Sequence, residues 1–167
     1  MHRIIIALVA MAASLLPASA GLGQSATPPN EDATPAPLVF VCEHGNVKSL
    51  IAASLFNKAA TDRGSPLRAM SRGVNPEPGV PDKIAAALRA DGVDVSGFEP
   101  RALTKADVAG ASRVVAIGVD PALLHLPVGT PVQRWDDVPP ASVDYAAARA
   151  VLQRHIDALL DDASHRP

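Results

Sequence analysis

Five consecutive apolar residues, Leu38-Val39-Phe40-Val41-Cys42, run directly into a polar, glycine-containing loop and then into an Ala- and Leu-rich stretch. No other feature limits the fold as strongly. A valine-rich run without polar alternation, bounded by Pro37 and by the loop around Gly45, suits a strand buried on both faces, as parallel sheets require. Ser49 to Ala60 follows with Ala52, Leu55, Phe56 and Ala59 on one helical side. Strand, tight loop and helix in succession form the repeating unit of an α/β fold.

The rest of the chain continues that alternation. Leu67 to Ser71 is a weaker strand candidate, and Arg72 to Pro78 reads as a loop from its Gly and Pro content. Asp82 to Asp91 reads as a helix with Ile84, Ala87 and Leu88 on one face, stopped by Gly92. Asp107 to Ala111 is a short helix candidate, Arg113 to Gly118 a clear strand and Val132 to Trp135 a last strand. Val143 to Leu160 forms the longest helix, with Tyr145, Leu152, Ile156 and Leu159 at helical spacing. The expectation is one mostly parallel sheet, with binding at the carboxyl ends of its strands.

The segment before Leu38 belongs to no core. Met1-His2-Arg3, an apolar run over Ile4 to Leu16 and Ala18-Ser19-Ala20 form the three parts of a secretory signal peptide, with cleavage expected after Ala20. The apolar run is shorter than the roughly 20 residues that span a bilayer. Gly21 to Pro37 holds four prolines and little to bury, which predicts a disordered spacer. The expected organisation is a leader at 1–20, a spacer at 21–37 and a single domain at 38–167. A periplasmic or secreted product follows, with no stable membrane anchor after cleavage.

Composition narrows the function. Fifteen Lys plus Arg against 17 Asp plus Glu give a net charge of -2, which removes the electrostatic case for nucleic acid. The single cysteine permits no internal disulfide and no Cys-rich zinc site. His125, His155 and His165 have no ligand-like spacing, so neither a metal nor a cofactor is expected.

The chemistry concentrates in Cys42-Glu43-His44-Gly45-Asn46-Val47-Lys48-Ser49. A loop between a strand and a helix points backbone N–H groups and the positive end of the helix dipole at one spot, a place for an anion. A cysteine at its mouth is, on these residues alone, either a small buried residue that ends the strand or, with its thiolate stabilised by those N–H groups, by Lys48 and by His44, a nucleophile. A nucleotide-binding P-loop is excluded, because its two required glycines would fall on Cys42 and Val47.

These residues resemble the low-molecular-weight protein tyrosine phosphatase family and the arsenate reductases of the same fold. The family signature is a strand, Cys-x5-Arg-Ser, and a helix ending in Leu-Phe; here Leu38 to Cys42 leads to Lys48-Ser49 and on to Leu55-Phe56. Met70-Ser71-Arg72-Gly73, Gly92-Val93-Asp94-Val95-Ser96, Arg101-Ala102-Leu103-Thr104 to Asp107, and Arg113 to Ile117 extend the likeness over about residues 38 to 160. The resemblance implies four parallel strands with helices on both faces, a flavodoxin-like three-layer architecture. It implies that Cys42 attacks a phosphate monoester or phosphoprotein, that the amides of Glu43, His44, Gly45, Asn46, Val47, Lys48 and Ser49 hold the oxygens, and that Ser49 hydrogen-bonds the thiolate.

Two departures touch catalysis. Lys48 replaces the signature arginine, exchanging a planar two-oxygen fork for a hydrated point charge, which should weaken transition-state stabilisation. The family's general acid is an aspartate in an Asp-Pro step, whereas this chain has Trp135-Asp136-Asp137-Val138-Pro139-Pro140 and an ungapped match puts Pro139 in the acid's place. Asp137 is the expected acid after a two-residue shift, with Asp136 as the fallback. In the loop, Gly45 stands where the family has Asn and suits the left-handed turn there. The leading expectation is an exported, weakened phosphatase. The alternatives are a non-catalytic oxyanion or phosphoprotein binder, and an arsenate reductase drawing on an external thiol.

Overall fold

A computed structural model of the protein describes residues 35–165, so the expected leader and nearly all of the spacer lie outside the described residues. Four strands, β1 (Leu38–Cys42), β2 (Ala69–Gly73), β3 (Arg113–Ile117) and β4 (Val132–Trp135), form one sheet. Its order is β2-β1-β3-β4 and every pairing is parallel. The helices are α1 (Lys48–Asp62), α2 (Asp82–Ala90), α3 (Lys105–Ala109) and α4 (Tyr145–Ser164), with a 3-10 turn at Pro121–Leu124.

The unbroken apolar run of β1 has its cause in the two layers that enclose it. Leu38, Phe40 and Cys42 point into a core shared with α1, α2 and α4, while Val39 and Val41 point to the opposite side. There they meet Val114, Ala116 and Leu124, with Leu103 and Val108 packed around them. Alternation along a strand thus delivers apolar groups to both faces. Phe40 anchors the larger core, its ring 6.0 Å from Phe56 edge to face and 5.3 Å from Trp135. Truncating such a buried aromatic costs about 3–5 kcal/mol.

β2 runs over Ala69–Gly73, two residues beyond the sequence expectation. The Asn57 side chain of α1 explains the start: its amide donates to the Ala69 carbonyl at 2.9 Å and its oxygen accepts from the Ala69 N–H at 2.7 Å. The β2 end of the sheet is therefore held by a residue with no strand signature. From β1 the chain goes to β2 on one side, and β3 lies on the other. The gap between the carboxyl ends of β1 and β3 is the switch point where α/β sheets bind ligands.

Candidate active site

Cys42 ends β1 at that switch point, and the loop after it is turned almost inside out. The carbonyls of Cys42, Glu43 and His44 face away from the helix and accept from the N–H groups of Val74, Asn75 and Glu77 at 3.0, 2.8 and 3.2 Å. Among the described residues, no protein carbonyl or side chain accepts from the N–H groups of Glu43 through Ser49. A run of amides without protein acceptors, ahead of a 15-residue helix with no side-chain cap and no acidic residue in its first turn, is arranged for an anion.

Glycine makes the fold-back possible. Gly45 has φ +71°, and a Cβ there would sit 2.8 Å from the Gly73 nitrogen; a Cβ on Gly73 would sit 2.9 Å from the Gly45 nitrogen. The two backbones touch, so neither position admits a side chain without movement. Asn46, 4% exposed, fastens the next loop by donating to the carbonyls of Gly79 at 3.2 Å and Glu77 at 3.5 Å.

Under the loop lies a buried polar chain. Ser49 Oγ is 3.0 Å from Cys42 Sγ, Ser71 Oγ is 2.8 Å from Ser49 Oγ, and Ser71 Oγ is 3.0 Å from the Gly45 carbonyl. With the thiol protonated, Cys42, Ser49 and Ser71 each donate one proton along the chain to that carbonyl. With the thiolate, Ser49 turns its proton to the sulfur and Ser71 donates to Ser49, so the charge gains a hydrogen bond without leaving a buried hydroxyl idle. Ser49 lies inside α1 and caps nothing. Ser71, in the middle of β2, is absent from the sequence-based site; its signal in the sequence is the Met70-Ser71-Arg72-Gly73 segment that carries part of the family resemblance.

A cavity of about 220 Å³ opens over this loop, lined by Cys42, Glu43, His44, Asn46, Val47 and Lys48, by Ile117 and Gly118 after β3, and by Pro140, Ala141 and Ser142. Cys42, the loop and Lys48 are thus brought together. Lys48 reaches across the cavity wall and donates from Nζ to the Val138 carbonyl at 2.9 Å. At the rim, His44 Nε2 lies 3.5 Å from Glu77, and Glu43 accepts from the Asn75 amide at 2.7 Å.

The expected acids stand elsewhere. Asp137 does not line the cavity; its carboxylate lies 2.8 and 3.1 Å from His155 Nε2 on α4, and that partner holds its carboxyl below the usual range. The His155 ring in turn stacks on Trp135 at 4.5 Å. Asp136 is ion-paired with Arg134 at 2.8 Å. Arg134 and His155 hold the two carboxylates, and Pro140, Ala141 and Ser142 are what the following segment delivers to the cavity. Among the described residues no group of His, Cys, Asp and Glu is placed to hold a metal, and no helix is long and apolar enough to cross a membrane.

A strand-terminal cysteine, followed by a loop whose amides have no protein acceptors and placed at the switch point of a parallel sheet, is the arrangement of a cysteine-phosphatase fold. The sequence model of the low molecular weight phosphotyrosine protein phosphatases matches residues 37–123, and the chain belongs to that family. No curated protein sequence matches it. Among solved structures it is similar to YfkJ from Bacillus subtilis, with a TM-score of 0.68 and 16% identity over 80% of this chain and 97% of that one. It is also similar to the thioredoxin-dependent arsenate reductase Cg_ArsC1' from Corynebacterium glutamicum, at 0.63 and 23% identity over 78% and 63%. An arsenate reductase from Archaeoglobus fulgidus aligns at 0.58 and 26% identity, covering 74% of this chain and 98% of its own.

Proposed function

We propose that the protein hydrolyses phosphate monoesters, phosphorylated tyrosine side chains among them, through a cysteinyl-phosphate intermediate. The observation that carries this reading is the run of amides from Glu43 to Ser49 without protein acceptors, in the loop that borders the cavity beside Cys42. Cys42 attacks phosphorus, the amides and the Lys48 ammonium take the three equatorial oxygens, and Ser49, backed by Ser71, stabilises the thiolate as it leaves the phosphoenzyme. Water then releases phosphate.

The proton for the leaving oxygen is the weak part of this site. With Asp137 engaged by His155 and Asp136 by Arg134, the leaving group departs largely without help. Rates should therefore depend steeply on the leaving group, with nitrophenyl phosphate turned over, phenyl phosphate much more slowly and alkyl phosphates not at all. The test is hydrolysis of that series by the purified domain in reductant, beside Cys42→Ser. Equal rates across the series would show that an acid does reach the substrate.

The same placement of Asp136 and Asp137 favours a second reading, a binder of phosphate or phosphoprotein without turnover. Phosphate affinity retained in Cys42→Ser, with no hydrolysis of nitrophenyl phosphate by the parent, would select it. Arsenate reduction, the activity named for the relative of 26% identity, would need a second thiol from solution, because Cys42 is the only cysteine. Export of the chain, with residues 1–20 as the leader, is part of the proposal; a mature chain beginning at Gly21 in the extracytoplasmic fraction is its test.

A further inference from the structure

We propose that Lys48 occupies a seat built for an ammonium, so that lysine is the working cation of this loop and arginine would serve it worse. The inference rests on the oxyanion reading above and adds Gly118 and the Val138 carbonyl to the site. Lys48 Nζ donates to the Val138 carbonyl at 2.9 Å, and a Cβ on Gly118 would lie 2.9 Å from the same nitrogen. Two elements far apart in sequence therefore shape one small niche around one atom. Gly118 stands directly after β3 with φ +60° and donates its N–H to the Trp135 carbonyl at 3.1 Å, which fixes the niche floor to β4. Val138 is 3% exposed, its carbonyl held in place by the packing of its side chain.

An ammonium carries three donors. One is spent on Val138, and two remain for oxygens of an anion in the cavity that Lys48, Gly118 and Cys42 line together. Arginine carries a larger planar head with its donors in a fixed fork. Nζ sits where a Cβ on Gly118 would reach it while also holding the Val138 carbonyl, so the broader head would have to give up part of that contact or turn its fork from the anion. The lysine is thus a matched part of the site.

The test uses inorganic phosphate as the probe and reads its protection of Cys42 against alkylation by iodoacetamide, which requires no turnover. Parent, Lys48→Arg, Gly118→Ala, Lys48→Met and the Lys48→Met/Gly118→Ala double variant are compared. Lys48→Arg should weaken protection about tenfold, the loss expected of one charge-assisted hydrogen bond. Gly118→Ala should weaken it by a similar factor in the parent and by less than about twofold in the Lys48→Met background, because only the ammonium feels the added methyl. Protection by Lys48→Arg equal to or better than the parent overturns the seat. So does a Gly118→Ala effect of the same size in both backgrounds, which would trace to strain at φ +60° alone. Absence of protection in the parent overturns the oxyanion cradle and the seat with it, an outcome told apart from the others without any variant.

Discussion

The loop after β1 and the loop after β4 both border the cavity, yet they are built on opposite plans. The first is fixed from every side: carbonyls tied to the segment after β2, Gly45 against Gly73, Asn46 bonded to two carbonyls, Ser49 and Ser71 beneath the sulfur. The second gives the cavity a carbonyl and a few small side chains, while its carboxylates pair with Arg134 and with His155. Binding an oxyanion needs only the first plan. Expelling a poor leaving group needs an acid from the second, so a molecule that acts as proposed is better prepared to hold a phosphoryl group than to finish the transfer.

Mutations can break or sharpen this contrast. The largest effect should come from Cys42→Ser, which removes the nucleophile and should lower nitrophenyl phosphate hydrolysis on the order of 10⁴-fold or more while phosphate binding survives; residual turnover near the parent level would place the chemistry elsewhere. Gly45→Ala should cost about 1–3 kcal/mol of stability, from a left-handed residue forced against the Gly73 backbone, and should weaken phosphate binding as the amides are displaced. Chemical denaturation and phosphate titration of the same variant check both.

A third prediction concerns β2, which supports the loop. Arg72, beside Ser71, holds Asp107 through two hydrogen bonds of 3.0 and 2.8 Å, and this contact, ahead of the Thr104 bonds, brings the Asp107 carboxyl from 3.8 down to about 2. A lowered folded-state pKa stabilises the ionised form, so the contribution, about 2 kcal/mol, is complete above pH 4 and lost as pH falls through about 2. Asp107→Asn should therefore be less stable than the parent at pH 7, and the gap should close between about pH 4 and pH 2. A gap unchanged over that range would assign the loss to the capping of α3.

The smallest effect belongs to the second loop. Asp137→Asn should change nitrophenyl phosphate turnover less than about threefold, where loss of a working general acid costs about 10²–10⁴. A loss in that larger range would mean that Asp137 leaves His155 during the reaction.

Much of the first loop was legible in the sequence because its constraints are local. An apolar strand, a glycine suited to positive φ and a helix start lie within a dozen residues; that pattern marks Cys42 and Lys48 as candidates, and the family resemblance adds Ser49. The second loop was not. Asp137 and His155 are 18 residues apart, and nothing in either segment tells that a histidine stacked on Trp135 will take up the carboxylate. The seat of Lys48 depends on Gly118 and Val138, 70 and 90 positions away, and the Met70-Ser71-Arg72-Gly73 likeness marks Ser71 as part of the fold without telling that its hydroxyl meets Ser49. The 3-10 turn at Pro121–Leu124, with Asp120 accepting from the Ala122 N–H, also escaped a reading based on periodicity.

The ties between the cradle and the segment after β2 bear on how chain length can drift in this protein. Val74, Asn75, Glu77 and Gly79 are each bonded to a residue of the cradle, so an insertion or deletion there would pull amides or carbonyls out of register beneath the anion. Between His125 and Pro131 the chain answers to fewer partners, and Val128 stands fully in solvent. Added residues, a peptide tag or a grafted recognition loop would be accommodated there, on a segment that lends no residue to the Cys42 cavity.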